Sequence, residues 1–265
     1  MSPLDWMDVS EVSFNAMLLL ERIQIEYIAT LEPDAQMGTA LKANPAVDWY
    51  LRQMHEPCGA YIDRCLEMAQ EDPAPEDVRK AEVSVLNRFQ DWLVYALDPE
   101  EYDRQPFLSW DDASLLGMAD YKDKIVIDIG AGTGRLAFLV APVASTVYAV
   151  EPVANLRRFL WEKREELGFD NVFPLDGTIT QIPLPEDFAD IVMSGHVFGD
   201  HPAAEYEEMV RVTRDGGLII LHPGTHAGQD QNKTHQYLLK QGFEFDTFEE
   251  PRDGTKRKYW KTIHK

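Results

Sequence analysis

The sequence predicts an α/β fold: a doubly wound, seven-stranded, mostly parallel sheet whose last two strands form an antiparallel hairpin, preceded by an all-helical N-terminal extension. Three observations carry this. From residue 125 onward, short apolar β-type runs alternate with amphipathic helical segments, the pattern of βαβ units. The first of those runs, Ile125–Ile129, breaks abruptly into Gly130, Gly132 and Gly134, a strand-to-helix turn. Before it, the first hundred residues show only three- and four-residue apolar spacing, interrupted by prolines. The expected division is a helical extension over 1–108 and a sheet domain over 109–265.

Taking the chain in order, Val12, Met17, Leu20, Ile23, Tyr27 and Leu31 mark a helix over Ser10–Leu31, which Pro33 ends. Asn44-Pro45 opens a second helix, with a capping residue before a proline at the first helical position. A third follows Pro57 through Met68, and Glu71–Pro75 is a turn. Glu76–Leu97 repeats the helical pattern until Asp98-Pro99 stops it. Ser109 and Asp112 have capping-box spacing for a helix through Leu116. The expected strands are Ile125–Ile129, Thr146–Val150, Val172–Leu175, Ala189–Met193, Leu218–His222, Phe243–Phe248 and Lys256–Ile263, the last two joined by a turn over Pro251–Gly254.

Composition narrows the function classes. With 265 residues, 45% of them hydrophobic, the chain can bury a full core. Its 46 acidic residues against 25 basic ones, a formal charge of -21, argue against a nucleic-acid partner or an anionic membrane, because both are bound mainly through Lys and Arg. The apolar stretch Phe14–Leu31 is interrupted by Glu21, Arg22 and Glu26 and preceded by acids, so neither a signal peptide nor a membrane insertion is expected. Cys58 and Cys65, seven residues apart, suit neighbouring helical turns in a reducing, cytoplasmic protein. With His55 they supply three ligands where zinc usually takes four, and no metal site is expected. The sequence carries no signal for oligomeric state.

The glycine turn by itself serves several nucleotide cofactors, since positive φ and bare backbone are all it offers. Glu151 lies 21 positions after Gly130, at the end of the second strand, where an acid can accept hydrogen bonds from both ribose hydroxyls. That spacing fits NAD as well. Asp176-Gly177 ends the third strand, where a carboxylate can accept from an adenine amino group while nearby backbone reads a ring nitrogen.

Asp128–Gly134, Glu151, Asp176-Gly177 and the run Asp190–Phe198 followed by Tyr206–Gly217 together resemble the class I S-adenosylmethionine-dependent methyltransferases, in the small-molecule branch that includes quinone- and sterol-type enzymes. The resemblance covers roughly Ser109 to the C-terminus. It implies a Rossmann-like sheet of order 3-2-1-4-5-7-6 and S-adenosyl-L-methionine as cofactor. It also implies that Gly130, Gly132 and Gly134 lie against the methionine and ribose portions and Glu151 on the ribose hydroxyls. Asp128 would favour the cationic end, with the alternative of capping the following turn. Asp176 with Gly177 would hold the adenine, and Ser194, Gly195 and His196 would line the methionine side.

Methyl transfer needs mainly in-line alignment, because the sulfonium already makes the methyl electrophilic. His196 is the candidate general base if the acceptor must lose a proton, with pocket wall or capping donor as its alternatives; His201, His222 and His226 are weaker candidates. The expected function is methyl transfer to a small-molecule acceptor bound between the sheet's carboxyl edge and the N-terminal helices. A non-catalytic cofactor-binding protein and a nicotinamide-dependent oxidoreductase are the alternatives.

Overall fold

The computed structural model describes residues 7–229, 231–251 and 254–265. Part of the turn expected over Pro251–Gly254 lies outside them. The chain divides into two compact units, Met1–Tyr102 and Asp103–Lys265.

Unit 1 is helical. The helix expected over Ser10–Leu31 is instead a 3₁₀ segment, Phe14–Leu19, followed by α1 (Arg22–Ile28). The break is local: Leu20 is extended, and Glu21 and Gln24 form a capping box that starts α1 afresh. The carbonyl of Leu20, freed from the helix ladder, accepts the Tyr50 hydroxyl at 2.8 Å. Helix α2 (Ala35–Ala43), not foreseen from the sequence, is capped by Asp34, whose carboxylate accepts the Met37 N–H at 2.9 Å. Then follow α3 (Pro45–Met54), α4 (Cys58–Glu67), α5 (Pro75–Arg88) and α6 (Gln90–Leu97), the last two separated by non-helical backbone at Phe89. Asn44 does not cap α3 with its side chain, which donates to Ala40 O and Glu82 instead. Helices α2 and α4 touch backbone to backbone: a Cβ on Gly38 would sit 1.9 Å from the Cys65 carbonyl oxygen. Cys58 and Cys65 are free, buried thiols, and burial pushes Cys58 up to about 11.

Helix α7 (Pro99–Asp103) crosses the unit boundary. In unit 2, α8 (Ala113–Leu116) is a single turn. The Ser109/Asp112 capping box does not form: Asp111 accepts the Ala113 N–H at 3.0 Å, and Asp112 pairs with Arg135. The sheet comprises β1 (Ile125–Ile129), β2 (Thr146–Val150), β3 (Val172–Leu175), β4 (Ala189–Ser194), β5 (Thr213–Leu221), β6 (Glu244–Glu250) and β7 (Gly254–Thr262). Between them lie α9 (Arg135–Val140), α10 (Ala154–Leu167), α11 (Pro202–Val212) and α12 (Lys233–Lys240).

The strand order is β3-β2-β1-β4-β5-β7-β6, with only β7 antiparallel to its neighbours. Apolar side chains alternate between two cores: Val126, Ile191, Met193 and Ile220 in one, Ile127, Ile129, Val192, Ile219 and Leu221 in the other. Cover on both faces is why these strands read as continuous apolar runs. Because β6 runs parallel in direction to β5, its end at Glu250 reaches the same sheet edge as the carboxyl ends of β1 to β5.

Candidate active site

All three glycines of the turn after β1 have positive φ: 66° at Gly130, 56° at Gly132 and 86° at Gly134. A Cβ at Gly130 would lie 2.3 Å from Val197 Cγ2, and one at Gly134 2.5 Å from the Phe138 ring, so bare backbone is required sterically as well. The Gly130 and Ala131 N–H groups both donate to Val150 O, tying the turn to the end of β2. Glu151, 4% exposed, locks it further by accepting the Gly132 and Val153 N–H groups, each at 2.9 Å. Burial pushes Glu151 up to about 7.

Asp128, on β1 beneath the turn, accepts the Ala137 N–H of α9's first turn at 2.9 Å, while its Oδ1 has no partner. Burial, with a smaller contribution from the charge on Glu151, raises it to about 7. The buried Thr133 hydroxyl likewise has no partner. Asp128 therefore caps α9 from a distance and keeps one oxygen in reserve.

At the next strand end, Asp176 is exposed and pairs with Arg157 at 3.0 Å; the same guanidinium nitrogen donates to Glu151 O at 2.7 Å. Gly177 has no space for a side chain, a Cβ falling 2.7 Å from Pro183 Cδ and 2.9 Å from Val150 Cγ1.

The end of β4 brings three of the expected residues together. Ser194 is buried, its hydroxyl donating to Ile129 O of β1 at 2.9 Å. Gly195 is pressed against β5, with a Cβ position 2.8 Å from His222 O. His196 carries a left-handed backbone, φ 61°, and its N–H donates to Pro223 O. Such strain in a non-glycine residue costs about 1–3 kcal/mol and persists where the surroundings impose it. Its half-exposed ring places Nε2 3.1 Å from Oε1 of Glu250, a carboxylate wholly shielded from solvent, and Phe107 packs edge-on against it. Lys256 Nζ lies 3.3 Å from the other Glu250 oxygen and 3.2 Å from His226 Nε2. Among the described residues, neither Glu250 oxygen has a hydrogen bond of good geometry.

A cavity of about 130 Å³ opens beside this group, lined in part by Ser194, His196, Phe198, Thr225 and Thr234. A larger open cleft of about 480 Å³ lies along α10 and β3, lined in part by Arg157, Arg158, Trp161, Leu175 and Asp176. It contains none of the glycines and neither Glu151 nor His196.

Residues 127–221 match the family model described as a methyltransferase domain. A protein of Geobacillus thermodenitrificans named an uncharacterized methyltransferase is 30% identical over 142 residues, covering 51% of this chain and 64% of the relative. Another of that description, from a Geobacillus strain, is 33% identical over 117 residues, covering 43% of this chain and 53% of the relative. The crystal structure of a SAM dependent methyltransferase from Aquifex aeolicus shares the fold, with TM-score 0.50 and 19% identity over 62% of this chain and 97% of that one. Unit 2 therefore contains a match to a methyltransferase domain and shares the fold of a SAM dependent methyltransferase. The chain spans less than two thirds of the length of the two curated relatives.

The residues of unit 2 fit S-adenosyl-L-methionine, the cofactor that the resemblance implies. Positive-φ glycines leave bare backbone at the turn, and two buried polar atoms, Asp128 Oδ1 and Thr133 Oγ1, lack partners there. Glu151 and Asp176 stand at adjacent strand ends. Of the weaker histidines, His222 is a core residue: fully buried, bonded to Ser114 Oγ at 2.7 Å, stacked on Phe248 and pushed down to about 3 by burial. His201 opens α11 by donating its N–H to Glu205. Sequence reasoning missed Glu250, Lys256 and Arg157. Only the alternation along β6 and β7 and the helical phase of α10 carried any signal for them.

Proposed function

We propose that this chain transfers the methyl group of S-adenosyl-L-methionine to a small-molecule acceptor at the carboxyl edge of the sheet, with His196 as general base. The observation that carries this reading is the His196–Glu250 pair: a strained, half-exposed imidazole held against a solvent-excluded carboxylate at the end of β4. When bound, the cofactor supplies an electrophilic methyl on a sulfonium.

The residues of the chain do the rest. The glycine turn and Glu151 seat the nucleotide, and Asp128 supplies negative charge toward its cationic end. His196 Nε2 lies 3.1 Å from Glu250 Oε1, so an imidazole that takes a proton from the acceptor has a carboxylate beside it. Lys256 Nζ stands 3.3 Å from the other oxygen of Glu250 and places a positive charge beside the pair.

Incubating the purified chain with methyl-labelled cofactor and a fractionated extract tests the reading. Label is expected in a low-mass fraction, and His196→Ala should lower turnover by about 10²–10⁴-fold while leaving S-adenosylhomocysteine affinity within a few-fold. Label confined to protein would overturn the small-molecule acceptor, and an equally active H196A would remove the base. Cofactor binding without transfer to any fraction would favour a binding protein instead.

A further inference from the structure

Arg157 occupies the first turns of α10 and touches the ends of two strands at once. Its Nη1 donates to the main-chain carbonyl of Glu151, after β2, at 2.7 Å and to Oδ1 of Asp176, after β3, at 3.0 Å. The guanidinium is largely sheltered, its side chain 20% exposed, whereas the Asp176 carboxylate is 74% exposed. Among the described contacts, Asp176 has no other hydrogen-bond partner, and its Oδ2 is uncommitted. An aspartate this exposed would otherwise move among rotamers. One anchored donor therefore sets the position of a carboxylate that the resemblance implies lies at the adenine end of the cofactor site.

We infer that Arg157 is a positioning residue for cofactor recognition: it fixes Asp176 so that a free carboxylate oxygen meets the donor edge of the adenine ring, and so makes the site select an amino over an oxo group at that position. The inference rests on the cofactor reading given above and adds to it the source of base discrimination. An adenine presents an N–H donor where hypoxanthine presents a carbonyl oxygen, and a fixed carboxylate rewards the first and repels the second. A mobile one can swing away, which flattens the difference. The neighbouring Arg158 has no such role: its partner is Glu162, one turn along the same helix, at 3.8 Å, with both side chains exposed.

The pair contributes little to the fold, because ion pairs with an exposed partner contribute little to stability. Removing Arg157 should thus leave the protein folded and move binding selectively. Calorimetric titration of the full chain with S-adenosylhomocysteine and with its deaminated analogue S-inosylhomocysteine reads this directly.

For Arg157→Met, affinity for S-adenosylhomocysteine should fall about three- to tenfold, the scale of ordering one side chain on binding, while affinity for the inosine analogue should hold or rise as the repulsion is released. Arg157→Lys should restore part of the adenine preference. In a double-mutant cycle with Asp176→Asn the two losses should be strongly non-additive. Equal losses for both ligands would mean that Arg157 merely supports the end of β2, and unchanged or tighter adenine binding would mean that it competes for Asp176; either overturns the inference. If the wild-type chain bound neither ligand, the cofactor reading itself would fail, and this inference with it.

Discussion

Above neutral pH unit 2 must hold Asp128 ionised where no water reaches it, and Asp128→Asn removes that charge while keeping an oxygen for the Ala137 N–H. The carboxyl sits at about 7 in the fold against an ordinary 3.8. Because the folded value is raised, the folded state binds more protons than the unfolded one between these limits, and stability falls as pH rises through them. At about 1.4 kcal/mol per unit, the full penalty is ~4 kcal/mol above pH 7, of which about 2–3 kcal/mol accrues between pH 5 and pH 8.

His222 works in the opposite direction. Held neutral at about 3 against an ordinary 6.5, it lets the unfolded state bind more protons below pH 6.5, so stability rises with pH and contributes about 2 kcal/mol over the same interval. Glu151, also raised to about 7, adds a slope of the same sign as Asp128, so the wild-type curve sums all three groups. The comparison therefore lies between variants, by thermal melting at pH 5 to 8 without cofactor. D128N should gain stability relative to wild type as pH rises, by about 5–10 °C in melting temperature for a domain of this size. His222→Gln should lose stability over the same range. Using the slopes rather than absolute midpoints cancels the packing changes each substitution brings. Parallel curves for D128N and wild type would show that Asp128 ionises as freely as a surface acid and would refute the argument.

Three further outcomes follow from the packing. Gly130→Ala, at φ 66° and with its Cβ 2.3 Å from Val197, should lose about 2–4 kcal/mol in urea unfolding together with most S-adenosylhomocysteine binding; a stable, binding variant would mean that the turn can re-form. Gly38→Ala forces a methyl onto the Cys65 carbonyl and should destabilise unit 1 by about 2–3 kcal/mol, read as an earlier loss of helical circular dichroism, whereas a change under about 0.5 kcal/mol would show that α2 and α4 can part freely. Glu250→Gln should lower turnover by about 10²-fold with KM and S-adenosylhomocysteine affinity little changed, and Glu250→Asp should recover part of it. An unaffected rate would reduce the pair to a structural contact.

The sheet was legible because each parallel strand is covered on both faces, so its burial is written as an unbroken apolar run, and because the turn after β1 tolerates nothing but glycine at Gly130 and Gly134. The places of Glu151 and Asp176, just past the ends of β2 and β3, followed from spacing. The helical unit was harder. Helix α2 contains Gly38 and Thr39, both weak helix formers, yet these are buried where α4 approaches most closely, so tertiary packing outweighed propensity. Likewise Leu20 fits a helical stripe in sequence but is extended in the fold, with its carbonyl committed to Tyr50.

Charged residues of the site resist sequence reading for a different reason: identical neighbours take opposite environments. Glu249 and Glu250 are adjacent acids at the end of β6, but alternation turns only Glu250 inward, where it meets His196 and Lys256. Arg157 and Arg158 are adjacent on α10, and helical phase sends one across two strand ends and the other to solvent. In a chain with 46 acids, composition cannot single out Asp128, Glu151 and Glu250; their burial does. Three acids withdrawn from water beside one sheet edge cost stability in the free protein, and at Asp128 and Glu151 the raised proton affinities record that cost. In the proposed site the cationic end of the cofactor would offset it at Asp128. Burial of a charge rather than hydrophobic patterning is thus what marks Asp128 and Glu151 out.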